Sequence, residues 1–351
     1  MLGIPFLKLA LISFLALLPI LGWVYFFNKK HPTKRGYVIL SFVAGMFSVL
    51  PIKLYERYWN IMVWKFEHFN LIHYLSDLAQ MPTLSKFLAY FTMNILVVAG
   101  LFIFMVVVMF FLEVCSGDNT LRVFERKIGK AIESPLFFIS IGGLCGIIAF
   151  FSSFSVNEKI WFFVVVGMLE EFIKHLVLRF SDEEKIRSVK DALEFSIIVA
   201  LGFAFVENIL YFGKNFAEIS RSIQTFSILI LLRSTISVAA HICFSAIFGY
   251  FYGVAKFSSR IYQQEQKERQ HPIINRLHQV LHLKGATLFH EEQMMLGMLI
   301  AMGLHAIFNI FLEFGQIGFA FTFILGLFFV VLHLFHIKEQ RFFPITNFNF
   351  K

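Results

Sequence analysis

Glu170, Glu171, Lys174, His175, Glu207, Arg233, His241 and His305 stand inside long apolar runs, with Asn208 and Asn309 beside them. Carboxylates and imidazoles are the parts needed to activate a water: a base for its proton and a donor or cation for the oxyanion its attack creates. Two routes use this set. In the first, His241, His305 and Glu207 ligate a zinc ion with water at the fourth position, and Glu170 or Glu171 takes the proton. In the second no metal is needed. A buried carboxylate paired with a histidine acts as base while His305 and Asn309 hold the oxyanion. Residue types and spacing leave both routes open.

Each residue also has a structural explanation. Glu170 precedes Lys174 by four positions, so the two share a helix face, and an ion pair there eases insertion into lipid. That pair leaves Glu171 unexplained; it stands about 100° round the helix and lines up with His175. Taken singly, Glu207 is a packing feature and His241 an interhelical hydrogen bonder. Arg233 pairs with a span glutamate or binds a carboxylate or lipid headgroup. Gly249 and Gly253 form a small-xxx-small pair that reads as close helix packing. Together, these groups on four consecutive apolar segments are better explained by one shared centre, with Lys174 and Asn208 in support. Other hydrolytic signatures are missing. His290-Glu291-Glu292 is not followed by the second histidine of H-E-x-x-H, and no G-x-S-x-G elbow occurs. Cys243 follows His241 by two residues, about 200° round a helix, so the two form no dyad.

The elements that position these residues follow from composition. Of 351 residues 58% are hydrophobic and 15% charged, whereas soluble domains carry about 25% charged residues. The net charge of +8 is diluted by 48 phenylalanines, which excludes a nucleic-acid partner and fits inner loops facing anionic lipid. Cys115, Cys145 and Cys243 give neither a disulfide framework nor a C-x-x-C site. The expected fold is an all-α polytopic bundle of about nine spans, at 4–27, 37–53, 87–114, 136–155, 160–180, 192–213, 225–255, 293–313 and 316–337. Residues 4–27 are followed, not preceded, by basic residues, so they read as a retained span. Lys and Arg favour the inner segments by roughly three to one if the N-terminus is outside and the C-terminus cytoplasmic. The aromatic stretch 54–86 reads as an outer interfacial loop. Residues 256–292 read as a cytoplasmic loop whose His271, His278, His282 and His290 form a solvated, weakly basic face.

Four short motifs now carry a resemblance: E-E-F-I-K at 170–174, F-A-F-V-E-N at 203–208, H-I-C-F-S at 241–245 and H-A-I-F-N at 305–309. In this order on successive spans they resemble the motifs of the PrsW family of intramembrane proteases, distantly related to the CAAX-processing and bacteriocin-immunity membrane proteases. The resemblance covers roughly residues 135–340. It leaves 1–134 as an N-terminal unit of three spans and 341–351 as a cytoplasmic tail. It implies a multi-pass protein of a bacterial cytoplasmic membrane that clips membrane-anchored protein substrates such as anti-sigma factors near the outer face. Glu170, Glu171, Glu207, His241 and His305 would be its site residues. The readings that compete are a proton-coupled transporter, which lacks the inverted repeats expected of one, and a non-catalytic membrane scaffold.

Overall fold

The computed structural model describes residues 3–28, 35–57, 158–181, 186–216, 222–259 and 285–341, together with Phe91 and Ile95. All the regular structure among them is helical. We number the helices α1 (Gly3–Asn28), α2 (Arg35–Phe47), α3 (Glu158–Ser181), α4 (Val189–Lys214), α5 (Ile223–Leu232), α6 (Val238–Lys256), α7 (Gly285–Glu313) and α8 (Ile317–Arg341). A π-helical turn, Arg233–Ser237, joins α5 to α6 without a break. Expected spans 87–114, apart from Phe91 and Ile95, and 136–155 lie outside the described residues.

Among the described residues, six helices are long and apolar enough to cross a bilayer: Lys8–Phe27, Val38–Arg57, Val189–Lys214, Ser227–Lys256, Gly285–Glu313 and Ile317–Phe335. Charge separates α3 from that set, not length. Its 24 residues reach about 36 Å at the helical rise, enough for a hydrocarbon core of about 30 Å. The charges of α3 are tolerable because neighbours cover them, and Val165–Leu178 is buried except for Met168.

Two boundaries differ from expectation. The second span does not end at 53: the helix continues to Arg57, and Lys53 pairs with Glu56 at 2.6 Å one turn on. Tyr55, assigned to an interfacial loop, is buried in the helical core. Likewise α7 begins at Gly285 and absorbs the end of the expected 256–292 loop. His290 is therefore half-buried on a helix; its Nδ1 bonds the Ala255 carbonyl at 2.8 Å, tying α7 to the end of α6. Residues 260–284, with His271, His278 and His282, lie outside the described residues.

Local chemistry fixes the helix ends. Ser188 caps α4, its hydroxyl accepting from Asp191 N at 3.0 Å while the Asp191 carboxylate accepts from Ser188 N at 3.1 Å, a reciprocal capping box. Gly315, at φ 67, takes the left-handed position between α7 and α8, with Gln316 N donating to Phe311 O at 2.8 Å.

Helix α6 lies at the middle of the described bundle, against α4 on one side and α7 on the other, while α3 packs on α7 and α4. Gly249 and Gly253 make the expected close contact. A Cβ on Gly249 would stand 2.6 Å from Ser196 Cβ, and one on Gly253 would stand 2.4 Å from Val189 Cγ1. The Ser196 hydroxyl donates to the Ser245 carbonyl across this seam. Helices α2 and α4 meet as closely through Gly45 and Gly202, where an added Cβ would strike the partner's backbone carbonyl. These close approaches press α4 and α6 together and bring their polar residues to one level.

Candidate active site

Helix α3 offers Glu170, Glu171 and Lys174 to the interior, and all three are buried. Lys174 pairs with Glu171, not with Glu170 as the four-residue spacing predicts: Nζ lies 2.7 Å from Glu171 Oε1. Positions three and four apart are both neighbours on a helix, and tertiary partners decide between them. The same ammonium lies 2.9 Å from His241 Nδ1 on α6 and 4.3 Å from the centre of the Phe203 ring on α4. Glu171 also accepts from His305 Nδ1 of α7 at 2.9 Å and from Ser245 Oγ of α6 at 3.3 Å. One carboxylate thus gathers donors from three helices, which offsets the desolvation of the buried Glu171–Lys174 pair.

Glu170 is the opposite case. Its Oε2 is buried without a hydrogen-bond partner and lies 3.6 Å from His305 Nε2. With Nδ1–H directed at Glu171, the neutral His305 ring presents an Nε2 lone pair to Glu170. Two acceptors therefore face one another in a buried place, too far apart to share a proton directly.

His241 is held from both sides. Lys174 donates to Nδ1, and Nε2–H donates to Glu207 Oε2 at 2.7 Å. Glu207 is paired in turn with Arg233 Nη2 at 3.1 Å. The imidazoles of His241 and His305 stand with centroids 5.4 Å apart.

Among the expected site residues, Glu170, Glu171, Lys174, His241, His305 and Glu207 come together. Asn208 joins at the edge, its Oδ1 accepting from Arg233 Nε at 3.0 Å. Asn309 lies one turn beyond His305 and donates to the Phe163 carbonyl of α3 at 3.0 Å, a tie between helices. His175 does not line up with Glu171 in a shared centre; it turns to Phe248 and Tyr252, with ring centroids 4.3 and 6.2 Å away. Three further members carry no signal in the four motifs that marks them out. Ser245 and Phe203 lie within quoted motifs, but a serine or phenylalanine in a span carries no mark of a polar role. Gly167 carries one in retrospect, being the bare position one turn before Glu170 and Glu171. A Cβ there would come within 2.9 Å of Asn309 Nδ2 and 3.2 Å of His305 Cδ2.

The fold and this centre define a multi-pass helical membrane protein with a carboxylate–imidazole cluster buried between its spans. Residues 95–335 match the PrsW family, described as intramembrane metalloproteases, and the chain belongs to that family. It is similar to Protease PrsW of Geobacillus kaustophilus, at 35% identity over 98 residues, 27% of this chain and 39% of that protein. Protease PrsW of Clostridioides difficile is 31% identical over 97 residues, 27% of this chain and 38% of that protein. Protease PrsW of Halalkalibacterium halodurans is 27% identical over 155 residues, 43% of this chain and 65% of that protein. The matched region spans about two fifths of the length of the first two relatives and less than two thirds of the third. No solved structure matches the chain.

The family description raises a metal, and the donor set fits one once Lys174 gives up His241 Nδ1. Glu170, His241 and His305 each offer a ligand atom, all within 4.8 Å of one another. The unpartnered Glu170 oxygen facing the His305 lone pair is the arrangement a cation or a water would satisfy. The carboxylate of this trio is Glu170, and not the Glu207 expected beside the two histidines. Glu207 is engaged by Arg233 and hydrogen-bonded to the His241 ring, a place that orients a ligand.

Proposed function

We propose that the chain is an intramembrane endopeptidase that hydrolyses a peptide bond in membrane-anchored protein substrates, anti-sigma-factor-like proteins among them. One observation carries the reading: the buried Glu170 Oε2 without a partner, 3.6 Å from His305 Nε2. A water seated between these atoms can donate to both, which polarises it for attack and gives Glu170 the role of base. Glu171 is the orienting carboxylate: with Lys174, His305 and Ser245 on its oxygens, it holds the His305 tautomer and is less free to take a proton. Glu207 plays the matching part for His241. Asn309 and Gly167 set how closely α7 approaches α3, and Asn309, one turn from His305, would assist the oxyanion. Where zinc binds in place of that water, Glu170, His305 and a His241 released by Lys174 would hold it, and the ion would supply Lewis acidity and lower the cost of ionising water.

In this reading residues 135–340 form the catalytic bundle, and 1–134 an N-terminal unit in a nine-span protein of the bacterial cytoplasmic membrane, N-terminus outside and C-terminus cytoplasmic. The threefold excess of basic residues on the inner segments supports that orientation. The deciding test is cleavage of a co-expressed single-span reporter by wild type and Glu170→Gln at equal membrane levels. Cleavage by the wild type alone is the expected result, and equal cleavage by both overturns the reading.

A further inference from the structure

Arg233 belongs to none of the four motifs, and the chain goes to some length to place it. It precedes His241 by eight residues, which in an unbroken α-helix leaves the two side chains about 80° apart. The π-turn Arg233–Ser237 intervenes. Because a π-turn takes up one extra residue, the spacing acts as about seven α-helical steps and the offset falls to about 20°. Arg233 is thereby brought to the face that carries His241.

That turn sacrifices regular α-helical hydrogen bonds inside a span, where freed backbone groups need partners. Two are supplied: Thr235 Oγ1 donates to Leu231 O at 2.6 Å, and Trp23 Nε1 of α1 reaches Ser234 O at 3.4 Å. Three residues of α4 receive the guanidinium. Nη2 pairs with Glu207 at 3.1 Å, Nε donates to Asn208 Oδ1 at 3.0 Å, and the guanidinium carbon lies 4.7 Å from the centre of the Tyr211 ring. The oxygen that Arg233 pairs with, Glu207 Oε2, is the one that accepts from His241 Nε2 at 2.7 Å.

We infer that Arg233 is a positioning residue for His241. It acts through Glu207, and the π-turn is the register device that brings it there. Held from behind by the guanidinium, Glu207 Oε2 fixes which ring nitrogen of His241 carries the proton and how the ring faces Glu170 and His305. Without that hold the Glu207 carboxylate can rotate, and the His241 ring loses its fixed acceptor. The catalytic meaning of His241 rests on the proposed function; the coupling of Arg233 to the ring does not.

The test uses full-length protein in nanodiscs, labelled with ring-15N histidine. The His241 resonances are those lost in His241→Gln. Arg233→Met is expected to move them in the same direction as Glu207→Gln, Arg233→Lys to bring them most of the way back, and the Met–Gln double variant to add nothing to either single change. Wild-type His241 resonances in Arg233→Met, beside shifted ones in Glu207→Gln, overturn the inference. Should Arg233→Met fail to fold, Arg233→Gln, uncharged and polar, replaces it with the same expectation. In reporter cleavage, kcat is expected to fall about 10–100-fold with KM unchanged. A rise in KM alone overturns the inference in favour of substrate binding by Arg233. If wild type does not cleave, the protease reading fails while the resonance comparison still decides the role of Arg233.

Discussion

Lys174 Nζ bonds His241 Nδ1 at 2.9 Å, and this bond and metal ligation by His241 exclude one another. A ring that accepts at Nδ1 and donates from Nε2 to Glu207 has no lone pair left. Ligation through Nδ1 needs the seat Lys174 fills, and ligation through Nε2 puts the proton on Nδ1, against the ammonium. Lys174→Met is therefore expected to tighten zinc binding about tenfold or more, about 1.4 kcal/mol, in competition with a chromophoric chelator on detergent-purified protein. Unchanged or weaker binding removes His241 from the ligand set.

The two adjacent glutamates are expected to respond differently to amidation. Glu170→Gln disturbs no existing bond of Oε2 and should leave the thermal unfolding temperature near that of wild type while cleavage falls about a thousandfold. Glu171→Gln leaves the buried Lys174 uncompensated, a change that costs about 3–5 kcal/mol. Melting of both variants in the same detergent separates the roles, and equal melting temperatures contradict them.

Gly167→Ala tests the seam between α3 and α7. The new methyl meets Asn309 Nδ2 and the His305 ring, so α7 must shift at a cost of about 1–3 kcal/mol, with loss of cleavage. Gly303→Ala is the control on α7 itself, since nothing lies within 4 Å of its added Cβ. It should be neutral or slightly stabilising, by up to about 1 kcal/mol. Cleavage by Gly167→Ala at the wild-type rate would show that the seam has slack.

Alanine at Gly202 is expected to push α2 from α4, because its Cβ would lie 2.0 Å from the Phe42 carbonyl. Reduced melting temperature with intact membrane insertion, read by protease accessibility of the termini, is the expected outcome. Unaltered melting would mean that α2 and α4 do not pack this closely.

Much of the centre was readable from residue type alone. An ionisable group in an apolar run is costly enough that it needs a partner, so Glu170, Glu171, Lys174, Glu207, His241 and His305 announced themselves. Their pairing did not. Whether Glu170 or Glu171 takes Lys174 turns on His241 and His305, residues from helices far along the chain, and no local rule carries that information. The helical spans were plain from apolar length, yet the extension of the second to Arg57 and the early start of α7 were hidden by charges that lie at the helix ends. The π-turn was invisible for another reason: R-S-T-I-S reads as ordinary span, and only the partners waiting on α4 and α1 favour the extra residue.

The bond between Glu171 and His305 joins positions 134 residues apart, so one end exists long before the other during synthesis. At 5–20 residues per second the wait is roughly 7–27 s. Lys174, three residues from Glu171, is made almost at once and gives the carboxylate an interim companion until α7 arrives. The ribosome thus delivers α3 to the bilayer already carrying its own counter-charge.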